Sequence, residues 1–305
     1  MPNVLFLRAP SESPDRYEAA FSGAGYTSSS IPVLETVLVN LETLTHTVRS
    51  GPQYGAVIIT SGRACEAWGR VVDSLESGQS IQGPGRHLYR AILLAHFLQE
   101  SGADWLSTPF YVVGKSTASA VKAIRDAHPN SRYSPSDIRG ESSGTSEQLA
   151  RFILADLESL PPPSRRKPFL YLTGDKNRDT LPDILASGDV ELNPLQVYKT
   201  QGSSAFPDDL KLALESSQDS SSWWIVFFAP SAAEFVTPFL RRHFDLGTMD
   251  TASPARRTAR VASIGPTTST FLQDKLNIAV DAVAPKPTPN DLLQVITAYD
   301  KAHGG

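Results

Sequence analysis

Short apolar runs rich in Val, Ile, Leu and aromatic residues alternate along this chain with segments whose apolar positions recur every three to four residues. Continuous apolar runs suit strands buried on both faces, and the longer period suits the helices that cross between them. The pattern therefore predicts an α/β protein with parallel sheets flanked by helices. Strands are predicted over 3–8, 27–39, 55–60, 109–113, 131–134, 168–173, 190–200, 223–228, 260–264 and 278–283. Helices are predicted over 14–24, 40–50, 62–75, 86–100, 116–127, 145–158, 177–187, 207–216, 231–243, 267–276 and 289–302. Asp15 and Ser146 are the expected caps, and Gly23 with Gly25 is expected to close the first helix. Residues 161–168 and 247–257 break both periods and read as surface loops with solvated basic residues, Arg165 and Arg166 among them.

The pattern also occurs twice. YGAVIITS at 54–61 and WWIVFFAP at 223–230 each lead into a helical segment. FYVVGKSTA at 110–118 is answered by VASIGPTTS at 261–269, and GTSEQL at 144–149 by PTPNDL at 287–292. The opening VLFLR at 4–8 has a partner in LYLTG at 170–174. An ordered series of matches implies an internal pseudo-repeat, hence two similar lobes facing a cleft.

Two segments fit no short buried strand. Residues 31–39 carry a proline and are long, and they are matched by 194–200, each lying after the first strand–helix unit of its repeat. If these segments pair with one another, the chain crosses between lobes twice through a two-stranded β-ladder. One lobe would then hold 38–194, the other 1–33 and 201–305, with 34–37 and 195–200 as linker strands. A double crossing allows hinge motion.

Composition narrows the class. A length of 305 residues favours two domains, and 40% hydrophobic with 20% charged residues is ordinary for a soluble globular chain. A formal net charge of -4 offers no general basic field, so no nucleic-acid partner is expected. One cysteine, Cys65, excludes an internal disulfide framework and fits a reducing compartment. No apolar run approaches the roughly 20 residues that span a bilayer, and the N-terminus enters a strand without signal-peptide character. A cytoplasmic location away from membranes is the expectation.

Ligands of open parallel sheets bind beyond the carboxyl ends of the strands, at helix N-termini. Here those loops share a chemistry: TSGR at 60–63, GKST at 114–117, SSGTS at 142–146, APS at 229–231, GPTT at 265–268 and PTP at 287–289. Small hydroxyl residues and glycines leave backbone N–H groups open to a carboxylate or phosphate, although in any single loop Ser or Thr can simply cap its helix. Conventional signatures are missing. Gly114-Lys115-Ser116 resembles the end of a Walker A loop, but Pro109 stands where its first glycine belongs. No GxGxxG, HExxH or CxxC occurs, and His46, His87, His96, His128, His243 and His303 have no ligand spacing. Cys65, at the start of a helix, reads as an ordinary half-buried residue rather than an activated thiol.

Taken together, the motifs resemble the uroporphyrinogen-III synthase family over nearly the whole chain. The resemblance is carried by VLFLRAP at 4–10, YGAVIITSGRACEAW at 54–68, FYVVGKSTASAVKAI at 110–124 and ESSGTSEQLARFI at 141–153. It continues through LYLTGDKNRDTLPDIL at 170–185, LQVYKT at 195–200, FFAPSAAEF at 227–235, ASIGPTTSTFL at 262–272 and PTPNDLLQVI at 287–296. The resemblance implies two α/β lobes joined by a two-stranded ladder, and a lyase of haem biosynthesis. Its substrate is hydroxymethylbilane, a linear tetrapyrrole with eight carboxylates, closed with inversion of ring D and loss of water. Loss of the terminal hydroxyl gives an azafulvene; attack at the substituted carbon of ring D gives a spiro-pyrrolenine, which fragments and recloses. No cofactor or metal is implied, and a monomer is expected.

The resemblance also assigns residues. Tyr198 matches the family's tyrosine beside the cleft, where a phenol can protonate the departing hydroxyl. Thr267 and Thr268 match the paired threonines after Ile-Gly-Pro, with Ser116 and Thr117 as counterparts in the other lobe. Ser61 and Arg63 match a Thr-Ser-x-Arg turn suited to carboxylates. Arg178 matches an arginine ahead of Leu181-Pro182, and Arg8 ends the first strand; for both, a surface salt bridge is the competing reading. Ser231 follows a departure, since Ala229 stands where the family often has serine, and Gly62 replaces a frequent proline. The alternative to an enzyme is a two-lobed protein that binds an anionic ligand, or regulates, without catalysis.

Overall fold

Five parallel strands form one sheet of the protein in the order β6-β5-β4-β7-β8: Asp137–Arg139, Pro109–Val112, Ala56–Ile59, Phe169–Thr173 and Leu192–Gln196. A second sheet runs β11-β12-β10-β1-β2 through Phe244–Asp245, Arg257–Ile264, Trp223–Phe227, Asn3–Leu7 and Thr27–Ser30, with β13 (Ala282–Ala284) also on β12, and all pairs are parallel. These come from a computed structural model that describes residues 2–11, 13–51, 53–78, 104–217, 222–247 and 257–303. The chain divides into two units, Met1–Glu35 with Thr200–Gly305, and Thr36–Lys199.

The two sheets have one topology. Replacing β6, β5, β4, β7 and β8 by β13, β12, β10, β1 and β2 reproduces the second sheet, which adds the short β11 on β12. The correspondence links the strands that carry the sequence repeat. Within each sheet the central strands alternate strictly between faces, as the two-residue period of a strand requires. Val57, Ile59, Phe110, Val112, Leu170 and Leu172 face one layer, and Ala56, Ile58, Tyr111, Phe169 and Tyr171 the other. In the second unit Leu5, Leu7, Ile225 and Phe227 oppose Val4, Phe6, Trp224 and Val226 in the same way. Removing each such side chain from water contributes about 1.5–3 kcal/mol, which is why both faces are closed by helices.

A third, two-stranded sheet pairs β3 (Leu34–Leu38) with β9 (Tyr198–Gly202). The Val39 N–H donates to the Val197 carbonyl at 2.9 Å, and the Ser203 N–H to the Val33 carbonyl at 3.0 Å, an antiparallel ladder. The predicted strand 27–39 is thus two strands. Pro32, which has no N–H for a ladder, sits in the break between β2 and β3. The predicted strand 190–200 likewise divides at the buried Val197 into β8 and β9.

Four further expectations need correction. Residues 131–134 form a turn, not a strand. The Ser131 hydroxyl accepts the Tyr133 N–H at 3.1 Å and the Ser134 hydroxyl donates to the His128 carbonyl at 2.6 Å, local bonds that compete with a ladder. The sheet strand lies further on, at β6. The predicted strand 278–283 is displaced to β13, because Ile278 still donates to Leu272 as the preceding helix unwinds. Thr145, not Ser146, caps the helix Ser146–Asp156, accepting the Gln148 N–H at 3.2 Å. Within 161–168, Pro162–Arg165 forms one helical turn favoured by proline at its start. Arg165 there donates to the Leu160 carbonyl at 2.8 Å and to that of Glu158, so it is exposed but not merely solvated. The predicted helix 86–100, and the segment 247–257 apart from its two end residues, lie outside the described residues.

Candidate functional site

At the carboxyl end of β4 the chain turns into the helix Gly62–Ser77. Ser61 caps it, with its Oγ accepting the Ala64 N–H at 3.3 Å. The same hydroxyl donates to the Tyr198 phenol oxygen at 3.2 Å. Arg63, exposed in the first turn, places its guanidinium carbon 5.8 Å from the centre of the Tyr198 ring. Tyr198, Ser61 and Arg63 are thereby one cluster within a single unit. Strand order explains the meeting: β7 separates β4 from β8, and Tyr198 begins the strand that leaves β8.

Ser61 contacts the Tyr198 oxygen and the Arg63 guanidinium lies over the Tyr198 ring. With Ser61 as donor, the phenol keeps its own O–H for a second partner. Beneath the cluster Tyr171 is buried, and burial raises its phenol above the usual range while a bond from Thr60 opposes that.

The other predicted binding residues lie at helix N-termini. Gly114 and Gly265 open the helices Gly114–Ala127 and Gly265–Leu276 with φ of 75° and 74°, the left-handed region that a glycine tolerates. GKST and GPTT therefore form first turns rather than loops ahead of a helix. Ser116 and Thr267 are exposed; Thr117 and Thr268 are buried. The capping residues, Val113 and Ile264, make no side-chain bond to the first turn, and neither does Ala229 ahead of the helix Pro230–Leu240, where Ser231 is exposed. These three helices keep first-turn N–H groups without a side-chain acceptor, the arrangement that accepts anions.

The two remaining arginines differ. Arg178 is exposed in the turn before the helix Thr180–Ala186. Arg8 is tied to Asp15 at 2.8 Å and lies over the rings of Tyr17 and Phe228, 5.0 and 5.5 Å from their centres. Sequence reasoning did not single out Gly174 or Asn177. Asn177 Oδ1 accepts the Gly174 N–H at 3.2 Å and its Nδ2 donates to the Gly174 carbonyl at 2.8 Å, directly under Tyr198. Among the described residues no group of three or more His, Cys, Asp or Glu converges as for a metal ion, and no helix is long and apolar enough to cross a membrane.

Such a fold, two α/β units of equal topology with a separate two-stranded ladder, places its polar and glycine-containing turns where enzymes of the α/β class hold small molecules. The family model described as uroporphyrinogen-III synthase HemD matches residues 15–294. Uroporphyrinogen-III synthase of Saccharomyces cerevisiae is 27% identical over 307 residues, covering 98% of this chain and 96% of the relative. That of Schizosaccharomyces pombe is 26% identical over 302 residues, covering 99% and 98%. Among solved structures, the Helicobacter pylori uroporphyrinogen-III synthetase aligns with a TM-score of 0.41 at 16% identity, covering 98% of this chain and 99% of that one. The Thermus thermophilus synthase aligns at 0.35 with 17% identity, covering 98% and 99%. The chain belongs to the uroporphyrinogen-III synthase family.

Proposed function

We infer that this enzyme cyclises hydroxymethylbilane to uroporphyrinogen III, with inversion of ring D and loss of water, and that Tyr198 is its general acid. The observation that carries the residue assignment is the Ser61–Tyr198–Arg63 cluster, in which Ser61 donates to the phenol oxygen at 3.2 Å and the Arg63 guanidinium lies over the phenol ring. As the phenol proton passes to the terminal hydroxyl, the carbon–oxygen bond breaks, water leaves, and the pyrrole nitrogen's electrons form an azafulvenium, the N-protonated azafulvene. The substituted carbon of ring D then attacks to give the spiro-pyrrolenine, its bond to the ring C bridge breaks, the free carbon of ring D recloses on that bridge, and the proton lost on this closure restores the phenol. The intermediates are reactive by themselves, so holding the bilane in one fold decides which carbon attacks.

Carboxylates would be held by the uncapped first turns at Ser116 and Thr117, Ser231, and Thr267 and Thr268, with Ser61, Arg63 and Arg178 adding donors and charge. Arg8 would contribute positive potential while remaining paired with Asp15. The reading extends to a cytoplasmic monomer that takes one small substrate with eight carboxylates and no nucleic acid, in keeping with a formal net charge of -4. A binding or regulatory role without catalysis is not favoured, since the matched family is one of synthases.

The test is Tyr198→Phe in a coupled assay with freshly made hydroxymethylbilane, the oxidised products being separated by isomer. Loss of one phenol as general acid corresponds to about a 10²–10⁴-fold drop in turnover, with type I product from spontaneous closure taking over. Unchanged type III output would remove the general-acid role, and type I product alone from the unaltered enzyme would remove the activity.

A further inference from the structure

Tyr198 is delivered to its place by the residue before it. The fully buried Val197 donates its N–H to the Thr173 carbonyl at 2.9 Å, at the end of β7. The chain therefore leaves β8 with Tyr198 beside the first residue past β7, which is Gly174. A Cβ at Gly174 would lie 2.4 Å from Cε2, 2.5 Å from Cζ and 2.8 Å from the hydroxyl oxygen of Tyr198. All three atoms belong to the reactive end of the ring. Gly174 is not among the glycines with positive φ, so its backbone conformation does not call for glycine. What calls for it is the phenol lying against the backbone.

Asn177 holds that backbone from below. Its amide grips both the N–H and the carbonyl of Gly174, at 3.2 and 2.8 Å. One side chain thus fixes the surface on which the phenol rests, while Ser61 fixes the phenol oxygen from the side, at 3.2 Å. Gly174 itself is buried and Tyr198 half-buried.

We propose that Gly174 is a positioning residue for Tyr198, with Asn177 as the clamp that keeps Gly174 in place. The proposal rests on the general-acid role assigned above. A methyl group at 174 needs an ordinary contact of at least 3.4 Å, so the phenol must retreat by about 1 Å. That movement shifts the oxygen that Ser61 holds at 3.2 Å and costs the fold little, because the atoms displaced are the far end of a side chain. A misplacement of about 1 Å at a reacting group reduces rates by up to ~10²-fold.

The experiment is a double-mutant cycle between Gly174→Ala and Tyr198→Phe, in the isomer-resolved assay, with thermal unfolding recorded for every variant. Gly174→Ala is expected to lower kcat by about 10- to 10²-fold, with KM changed less than about threefold and the unfolding temperature nearly kept. In the Tyr198→Phe background, which has no hydroxyl left to misplace, the same change is expected to cost nothing further. Asn177→Ala, which adds no bulk, is the second variant; it should lower kcat by a smaller factor and show the same non-additivity. Equal losses in both backgrounds would overturn the proposal, because a general disturbance of the unit acts whether or not the hydroxyl is present. Full activity of Gly174→Ala while Tyr198→Phe is impaired would also overturn it and leave the general acid standing. Unimpaired Tyr198→Phe would remove the general-acid role and this proposal together.

Discussion

Replacing Asp15 by Asn tests whether the first strand and first helix are joined by charge. The Asp15 side chain is 1% exposed. Its Oδ2 accepts Arg8 at 2.8 Å and the Ser11 N–H at 3.0 Å; its Oδ1 accepts the Tyr17 N–H at 2.9 Å as the cap of the helix Arg16–Gly23. Burial alone raises the pKa of this carboxyl, but the bond from Arg8, the N–H groups of Ser11 and Tyr17, and the Arg8 charge outweigh it. Together they hold the group at about 2, against an ordinary 3.8. At about 1.36 kcal/mol per pH unit that difference is roughly 2 kcal/mol of stability. Asn keeps the cap through its oxygen but turns an N–H₂ toward Arg8 and Ser11. Leaving a buried charge unpaired costs about 3–5 kcal/mol, and Arg8, at 16% exposed, recovers part of this from water. A net loss of roughly 2–3 kcal/mol at pH 7 follows.

The sign is fixed by the direction of the shift. A depressed folded-state pKa gives stability that is fully present above the unfolded value of 3.8 and is lost as pH falls toward about 2. Urea unfolding of both proteins, followed by circular dichroism at pH 7, 4 and 3, should show a gap that is full at pH 7 and about half as large at pH 3. A gap that is the same at pH 3 as at pH 7 would refute the linkage. A gap below about 0.5 kcal/mol at pH 7 would refute the pairing itself.

Thr268→Ala should weaken turnover far less than Tyr198→Phe, by under about 10-fold, because the first-turn N–H groups that would bind carboxylate survive the change; steady-state kinetics in the same assay decides it. Cys65 is 2% exposed, and burial pushes its thiol up to about 12. A thiol reagent at pH 8 should therefore modify it only at the rate of unfolding, and rapid stoichiometric labelling of the native enzyme would contradict this.

What the sequence makes legible is set by the range of the interaction concerned. The central strands β1, β4, β5, β7 and β10 carry unbroken apolar runs because both of their faces are buried, and such runs are visible locally. The ladder was legible because Pro32 and the polar positions of 194–200 do not suit a buried strand. Edges were not. Residues 131–134 contain Tyr133, which looks like a strand residue, but the serines on either side bond to their own turn. Capping was misplaced by one residue at Thr145–Ser146, since both side chains suit an N-cap and only backbone geometry chooses between them. The candidate site was legible residue by residue through the family motifs, yet its geometry was not. Nothing local in Val-Tyr-Lys-Thr says that β7 will bring Gly174 beneath Tyr198, or that β4 will bring Ser61 beside it.

The pseudo-repeat gives the proposed division of labour a physical basis. Equivalent first turns in the two units match closely: Gly114 and Gly265 share a left-handed φ, Ser116 and Thr267 are exposed, Thr117 and Thr268 are buried, and neither helix has a side-chain cap. Donors duplicated in this way suit a substrate whose charges are themselves repeated along a chain of similar rings. The helices that follow β4 and β10 break the equivalence. One is capped by Ser61, whose hydroxyl reaches Tyr198; the other begins after Ala229, which has no hydroxyl to offer. A general acid has to act at one carbon of the bilane, not at every ring, so duplicated phenols would protonate at positions where no bond should break. On this reading the substitution at Ala229 removes no catalytic group. It leaves the first-turn N–H groups of the helix Pro230–Leu240 without a competing side chain, as at Val113 and Ile264, and confines the chemistry to the unit that carries Ser61, Gly174 and Tyr198.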